Sequence, residues 1–309
     1  MADNEPAEQP PGRRSSFTDL SQVVQLVAQF VAPATLLAGL LYYWGYFHAR
    51  GFCAHLGVDS ATLGLTTTDY VMRSADGLFI PVAVFATIAL GLAWVRVALP
   101  RRYRDGYRPK WLLIGTAAVG GLLLLNGLSQ LQFDTPLNRG LGVAPACVIA
   151  GLLLLWAAVR ARRRELAAGS ATPVRTTNPL EWTLVVLLVA GSFFWGATAY
   201  SMAVGKGRAI RFEQSIAAAA RLTVYSEKAL EFNAPGVTGT ACTDPGSAYR
   251  YRYDGLVLAM TTGHAYVIVP RLWTYRQGTA IVLPRTGTGA VRLEYTRFDP
   301  KTPPPSPWC

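Results

Sequence analysis

The sequence predicts an α+β membrane protein: a five-helix transmembrane bundle with a C-terminal, extracytoplasmic β-rich domain of sandwich- or barrel-like form. Three observations predict it. Five apolar runs reach or approach the roughly 20 residues that a bilayer crossing needs. Only 15% of residues are charged, against about 25% in soluble domains, and mean hydropathy is +0.25. The last third of the chain gives up long apolar runs for short Val-, Tyr- and Leu-rich segments between Gly, Pro, Asn and Asp turn residues.

Residues 1–20 are polar, with Pro10-Pro11 and Arg13-Arg14, and read as a disordered cytoplasmic tail. Arg13-Arg14 ahead of an apolar run resembles a twin-arginine signal. The run continues to Phe47, beyond a signal's apolar length of about 7–15 residues, so it reads as an uncleaved first helix. The first span covers 22–46 and ends in Tyr42, Tyr43, Trp44, Tyr46 and Phe47, aromatics suited to the membrane–water boundary. A loop of about thirty residues is expected next, in the long tail of loop lengths. Spans at 78–99, 111–131, 141–159 and 180–204 complete the domain over 21–204.

The fifth apolar run continues without proline through GKGRAIRFEQSIAAAARL, good helix formers after two glycines, so residues 205–222 are expected to form a helical stalk. Residues 223–309 form the β domain. Its expected strands are 222–225, 249–253, 256–260, 265–269, 279–283 and 291–295, with a hairpin turn at Thr262-Gly263-His264 and a Pro-rich tail.

Charge orients this layout. Arg101, Arg102, Arg104, Arg108 and Lys110 fill the second-to-third connection, and Arg160, Arg162, Arg163, Arg164 and Arg175 the fourth-to-fifth. The other two connections carry only Arg50, Arg73 and Arg139. Basic loops stay cytoplasmic, so the N-terminus is predicted inside the plasma membrane and the C-terminal domain outside. Many of the basic residues gather in these short segments between apolar runs rather than on one soluble face, which argues against nucleic acid as a partner.

Cys53, Cys242 and Cys309 all fall on the oxidising side of this topology, and Cys242 with Cys309 is the candidate disulfide. Three free thiols, or Cys309 pairing with Cys53 or with another chain, are the alternatives. Cys147 reads as a small packed residue within a span. Gln22, Gln25 and Gln29 lie three and four apart on one face of the first helix, as a helix-packing surface or a pore lining. Thr66 with Asp69 has capping-box spacing. Asp69, Arg73 and Asp76 share a face as an ion-pair group or an external docking patch. The pairs Ala34/Ala38, Thr35/Gly39 and Ser192/Gly196 permit close helix contact. His48, Cys53 and His55 match no usual zinc spacing. No nucleophile–base motif or phosphate loop is present, so no enzyme, cofactor or metal is expected. The span interiors hold no Asp, Glu, Lys, Arg or His, which argues against an ion-coupled carrier.

The strings YYWGYFHARGFCAHLGVDSATLGLTTTDYVMRS, VYSEKALEFNAPGV and YRYRYDGLVLAMTTGHAYVIVPRLW resemble uncharacterised multi-pass membrane proteins of actinobacteria. The resemblance implies a source and a class, and no activity. The expected function is that of a non-enzymatic cell-envelope protein, embedded in the lipid bilayer, that displays its outer domain for ligand or protein binding, sensing or assembly. It would act with a protein partner or as a homo-oligomer. The alternative is an oligomeric channel or permeability module formed by the helices.

Overall fold

A computed structural model describes residues 15–98, 110–168, 178–286 and 291–297 of the chain. Within these, five α-helices precede a six-stranded antiparallel sheet, so the α+β class is as expected. The helices are α1 (Ser15–His55), α2 (Thr67–Ala98), α3 (Lys110–Ser129), α4 (Val143–Ala168) and α5 (Pro179–Ser215). By length and apolar content, Trp111–Ser129, Val143–Ala167 and Pro179–Ala218 could each cross a membrane. Large apolar side chains stand exposed along them, among them Ile114, Leu122, Leu125 and Leu187. Such a surface is stable only against lipid or further apolar protein.

Among the described residues the helices do not close into a bundle. They touch in the order α2, α1, α5, α4, α3, so α2 and α3, consecutive in the chain, stand at opposite ends of a row. Helix lengths also depart from the sequence reading. Helix α1 has 41 residues and α5 has 37, or about 60 and 55 Å at 1.5 Å per residue. A bilayer core of about 30 Å accounts for only half of each. Residues 15–20, expected as tail, open α1, while 1–14 lie outside the described residues. Most of the expected loop after Phe47 is likewise helix. Only 56–66 separate α1 from α2, and they include a 3-10 turn at Ser60–Leu63.

The stalk is helical to Ser215, yet it does not stand alone. It runs against the end of α1 with glycine at each close approach. A Cβ built on Gly205 would sit 2.1 Å from the His48 carbonyl oxygen, and one on Gly51 would sit 2.2 Å from that of Met202. Ser201 Oγ donates to the Trp44 carbonyl at 2.6 Å, and the Tyr43 and Thr198 hydroxyls meet at 2.6 Å. The small residues read from the sequence are placed differently. Nothing lies within 4 Å of a Cβ on Gly39, whereas Gly196 faces Pro145 of α4. The side chains of Gln22, Gln25 and Gln29 lie outside the described residues.

The strands are β1 (Arg221–Ser226), β2 (Thr238–Ala241), β3 (Tyr251–Thr261), β4 (Ala265–Pro270), β5 (Ile281–Pro284) and β6 (Val291–Thr296). They form one sheet in the order β5-β4-β3-β1-β6, with β2 pairing along β3. A sandwich or barrel was expected. Among the described strands there is instead a single open sheet with a core on each side.

The two expected strands at 249–253 and 256–260 are one 11-residue strand, β3. Asp254-Gly255, between the two expected strands, forms a bulge: between the pairs Leu222↔Leu256 and Val224↔Tyr253, β3 carries one residue more than β1. Gly255 has φ +86°, and a Cβ there would lie 2.1 Å from the Gly236 carbonyl oxygen. Only glycine fits.

One core joins Leu222, Val224, Tyr253, Leu256, Ile268 and Leu283, with Leu230, Phe232, Val291 and Leu293 packed against it. The other is shared with the helices. Phe52, Cys53 and Leu56 of α1, Leu63 of the 3-10 turn and Ala209 of α5 pack with Val257, Met260, Val267, Val269 and Trp273 of the sheet and its loop. Exposing Phe52, Leu56 and Leu63 alone would cost roughly 5 kcal/mol, about eight times the thermal energy, so the sheet is fixed to the helix ends.

Candidate functional site

Where α1, α2, α5 and β3 converge, they leave an open cleft of about 410 Å³. Helix α1 contributes His48 and Phe52, α2 contributes Asp69, Met72 and Arg73, α5 contributes Arg208, and β3 contributes Ala259, Met260 and Thr261. Its volume falls in the usual range for small-ligand sites, about 300–1,000 Å³. Two of the three residues of the expected docking patch, Asp69 and Arg73, line it. The third, Asp76, is on α2, with its side chain outside the described residues.

Asp69 is held in place by the start of α2. The Thr66 backbone N–H donates to Asp69 Oδ2 at 2.9 Å and the Thr66 hydroxyl does so at 2.9 Å, while the Asp69 N–H donates back to Thr66 Oγ1 at 3.2 Å. This is the reciprocal capping box that the spacing suggests, with Asp in place of Glu. The hairpin tip between β3 and β4 adds the Gly263 N–H at 3.4 Å. Burial would raise the Asp69 carboxyl, but the hydrogen bonds from Thr66 and Gly263, with a through-space contribution from Arg73, hold it below the usual carboxylate range. The same tip is tied to the 3-10 turn, because Thr262 Oγ1 donates to the Leu63 carbonyl at 3.1 Å.

A second cluster pins the far side of the junction. His55 Nε2 is 2.9 Å from Glu213 Oε2, and the Tyr275 backbone N–H donates to Glu213 Oε1 at 2.9 Å. The His55 ring stacks on Tyr275 at 4.7 Å. The Tyr275 amide and then the His55 side chain stabilise the charged carboxylate and hold Glu213 below its ordinary value. Arg271 Nη2 donates to the Ala217 carbonyl at 2.6 Å, so one loop of the sheet clasps the end of α5. None of these partners could be paired from sequence, because His55 and Glu213 are 158 residues apart with no spacing rule between them.

The remaining candidates separate. His48 faces the cleft, His55 pairs with Glu213, and Cys53 is buried with its thiol 3.8 Å from the Met260 sulfur. Burial pushes the Cys53 thiol up to about 11, which suits an inert core residue. Cys53 and Cys147 are free, while Cys242 is disulfide-bonded to a partner outside the described residues. Asn126 Nδ2 lies 3.6 Å from Cys147 Sγ, a contact between α3 and α4.

Phosphate-loop and nucleophilic geometry would need a glycine-rich turn into a helix, or a base aimed at a hydroxyl or thiol. The cleft presents two arginines, a histidine and the Asp69 carboxylate beside apolar side chains. No protein-family model matches the chain, and comparison with curated proteins and with solved structures finds no match.

Proposed function

We propose that the chain is a non-enzymatic, five-span plasma-membrane protein, with its N-terminus in the cytoplasm and its sheet domain outside. It works as an extracytoplasmic binding or sensing module of the cell envelope. The observation that carries this reading is the core shared by Phe52, Cys53, Leu56 and Ala209 with the sheet. A ligand or partner that moves the sheet also loads the ends of α1 and α5, the two longest helices, and so acts on the membrane domain through rigid elements. Cys242 pairs with Cys309 in this reading and ties the C-terminal tail to the outer domain. The channel alternative draws on the face of Gln22, Gln25 and Gln29 and on small-residue helix contacts.

The test is crosslinking on intact cells with a membrane-impermeant reagent, followed by purification of the full chain in mild detergent. The expected result is a ligand or partner crosslinked within the sheet domain or residues 56–66. Recovery of uncrosslinked monomer alone contradicts the reading.

A further inference from the structure

We propose that the C-terminal segment, residues 298–309, docks across the face of the sheet that carries Tyr225 and Arg252, closed there by a Cys242–Cys309 bridge. That face is then occupied by the chain's own tail. The inference rests on the Cys242–Cys309 pairing of the reading above, and adds the surface over which the tail lies.

Three observations point to this placement. The first is the cysteine count. The sequence has four, Cys53 and Cys147 are free, and Cys242 is bonded, which leaves Cys309 as its partner within the chain.

The second is register. Residues paired across an antiparallel ladder share a face of the sheet. Arg252 pairs with Thr240 on one side and Tyr225 on the other, and Tyr225 pairs in turn with Arg292. Cys242 follows Thr240 by two, and its N–H donates to the Arg250 carbonyl at 2.9 Å. It therefore continues the β2 register and shares that face. The opposite face is filled, because Leu222, Val224 and Tyr253 pack there with Leu230, Phe232 and Val237. A tail bonded to Cys242 arrives on the Tyr225 side.

The third is the match of lining to tail. Tyr225 lies 6.1 Å from Tyr249, and the Arg252 and Arg292 guanidinium groups sit over its ring at 5.9 and 5.8 Å. Thr223 and Arg252 are each 8% exposed, yet neither belongs to the core shared with the helices. The tail holds Pro300, Pro303, Pro304, Pro305 and Pro307. Proline has no N–H to add to a sheet edge, whereas proline-rich chain packs on aromatic rings. Reach is sufficient. From Thr296 to Cys242 the path crosses three strand spacings and about six residues of strand length, roughly 25 Å. Residues 298–309, at about 3.1 Å each, span about 37 Å.

The test uses the full chain in mild detergent with p-benzoylphenylalanine replacing Pro304, irradiated and then digested without reductant. The expected adducts are on Thr223, Tyr225, Arg252 or Arg292 of the same chain. Adducts on Leu230, Phe232 or Val237, adducts between chains, or none at all, overturn the placement. The same digest reads the bridge. Cys242 joined to another cysteine overturns the pairing and the inference together, while Cys242–Cys309 with adducts off this face overturns the inference alone.

A second readout is maleimide labelling of Thr223→Cys. It should be slow in the bridged chain and about tenfold or more faster when Cys242→Ser/Cys309→Ser is added. Tyr295→Cys, exposed on the other face, should label equally in both backgrounds if the sheet stays folded. Pro303→Gly/Pro304→Gly/Pro305→Gly, which keeps the bridge, should give an intermediate rate. An unchanged Thr223→Cys rate in the serine variant overturns the inference, and if that variant does not fold the crosslink map decides.

Discussion

Asp69, Glu213 and Gly255 each do at one position what the fold needs at a junction. The Asp69 cap was legible because Thr66 and Asp69 are local and their spacing has a physical meaning. The Glu213–His55 pair was not, since only the meeting of α1 with α5 creates it. Both carboxylates are held below their ordinary values in the folded protein. Their stabilisation is therefore full above the unfolded carboxylate range and is lost as pH falls through the lowered folded values. Thermal unfolding of the full chain should show a midpoint that drops on acidification below about pH 4.5. Asp69→Asn/Glu213→Gln should flatten that drop, and an unchanged acid slope would show that neither group carries it. Gly255→Ala should destabilise the sheet domain by at least about 2 kcal/mol, from the positive φ and the approach to Gly236. Urea unfolding measures this, and an effect under about 0.5 kcal/mol would remove Gly255 as a constraint.

Strand β3 and helices α1 and α5 show where reading by element succeeded and where it stopped. Apolar runs located α3 and the starts of α4 and α5 within a few residues, because lipid demands continuous apolar length, while α4 runs on nine residues past its expected end. Short β-branched runs located β1, β4, β5 and β6. The break expected between 253 and 256 is a bulge at Asp254-Gly255 within one strand, set by the approach of Gly255 to Gly236 across the sheet. Strand β2, TGTA, carries no apolar signal, and backbone pairing with β3 alone makes it a strand. The overshoot of α1 was hidden because aromatic residues 42–47 read as an end, while in the structure they pack on Tyr70 and Phe194. At this scale the test is Gly205→Leu. Its side chain must displace the His48 carbonyl, so α1 and α5 separate and the shared core opens. Labelling of Cys53 by thiol reagents, slow in the wild type because the residue is only 1% exposed, should accelerate by about tenfold or more. Unchanged labelling would mean that the glycine contact does not hold the core closed.

The molecule as a whole is a row of helices with a sheet welded to one end of two of them. Composition and hydropathy made the membrane class legible, whereas the helix order depends on packing contacts that no local pattern encodes. Disulfide connectivity was beyond the sequence for the same reason, although Cys242 does enter a bridge. Peptide mapping without reductant should find Cys242 joined to Cys309, and reduction should cost the sheet domain roughly 4 kcal/mol for a loop of this size. A peptide joining Cys242 to any other cysteine would refute the pairing. The central claim is that the sheet domain lies outside and the end of α4 inside, and impermeant maleimide labelling of intact cells tests it most directly. The native background should be quiet, because Cys53 is buried, Cys242 is bonded, and Cys147, free and half-buried, lies within an apolar helix long enough to cross a membrane. A cysteine introduced as Ala248→Cys, exposed on the sheet domain, should label in intact cells, and Glu165→Cys, exposed near the end of α4, only after lysis. The reverse pattern would contradict the account.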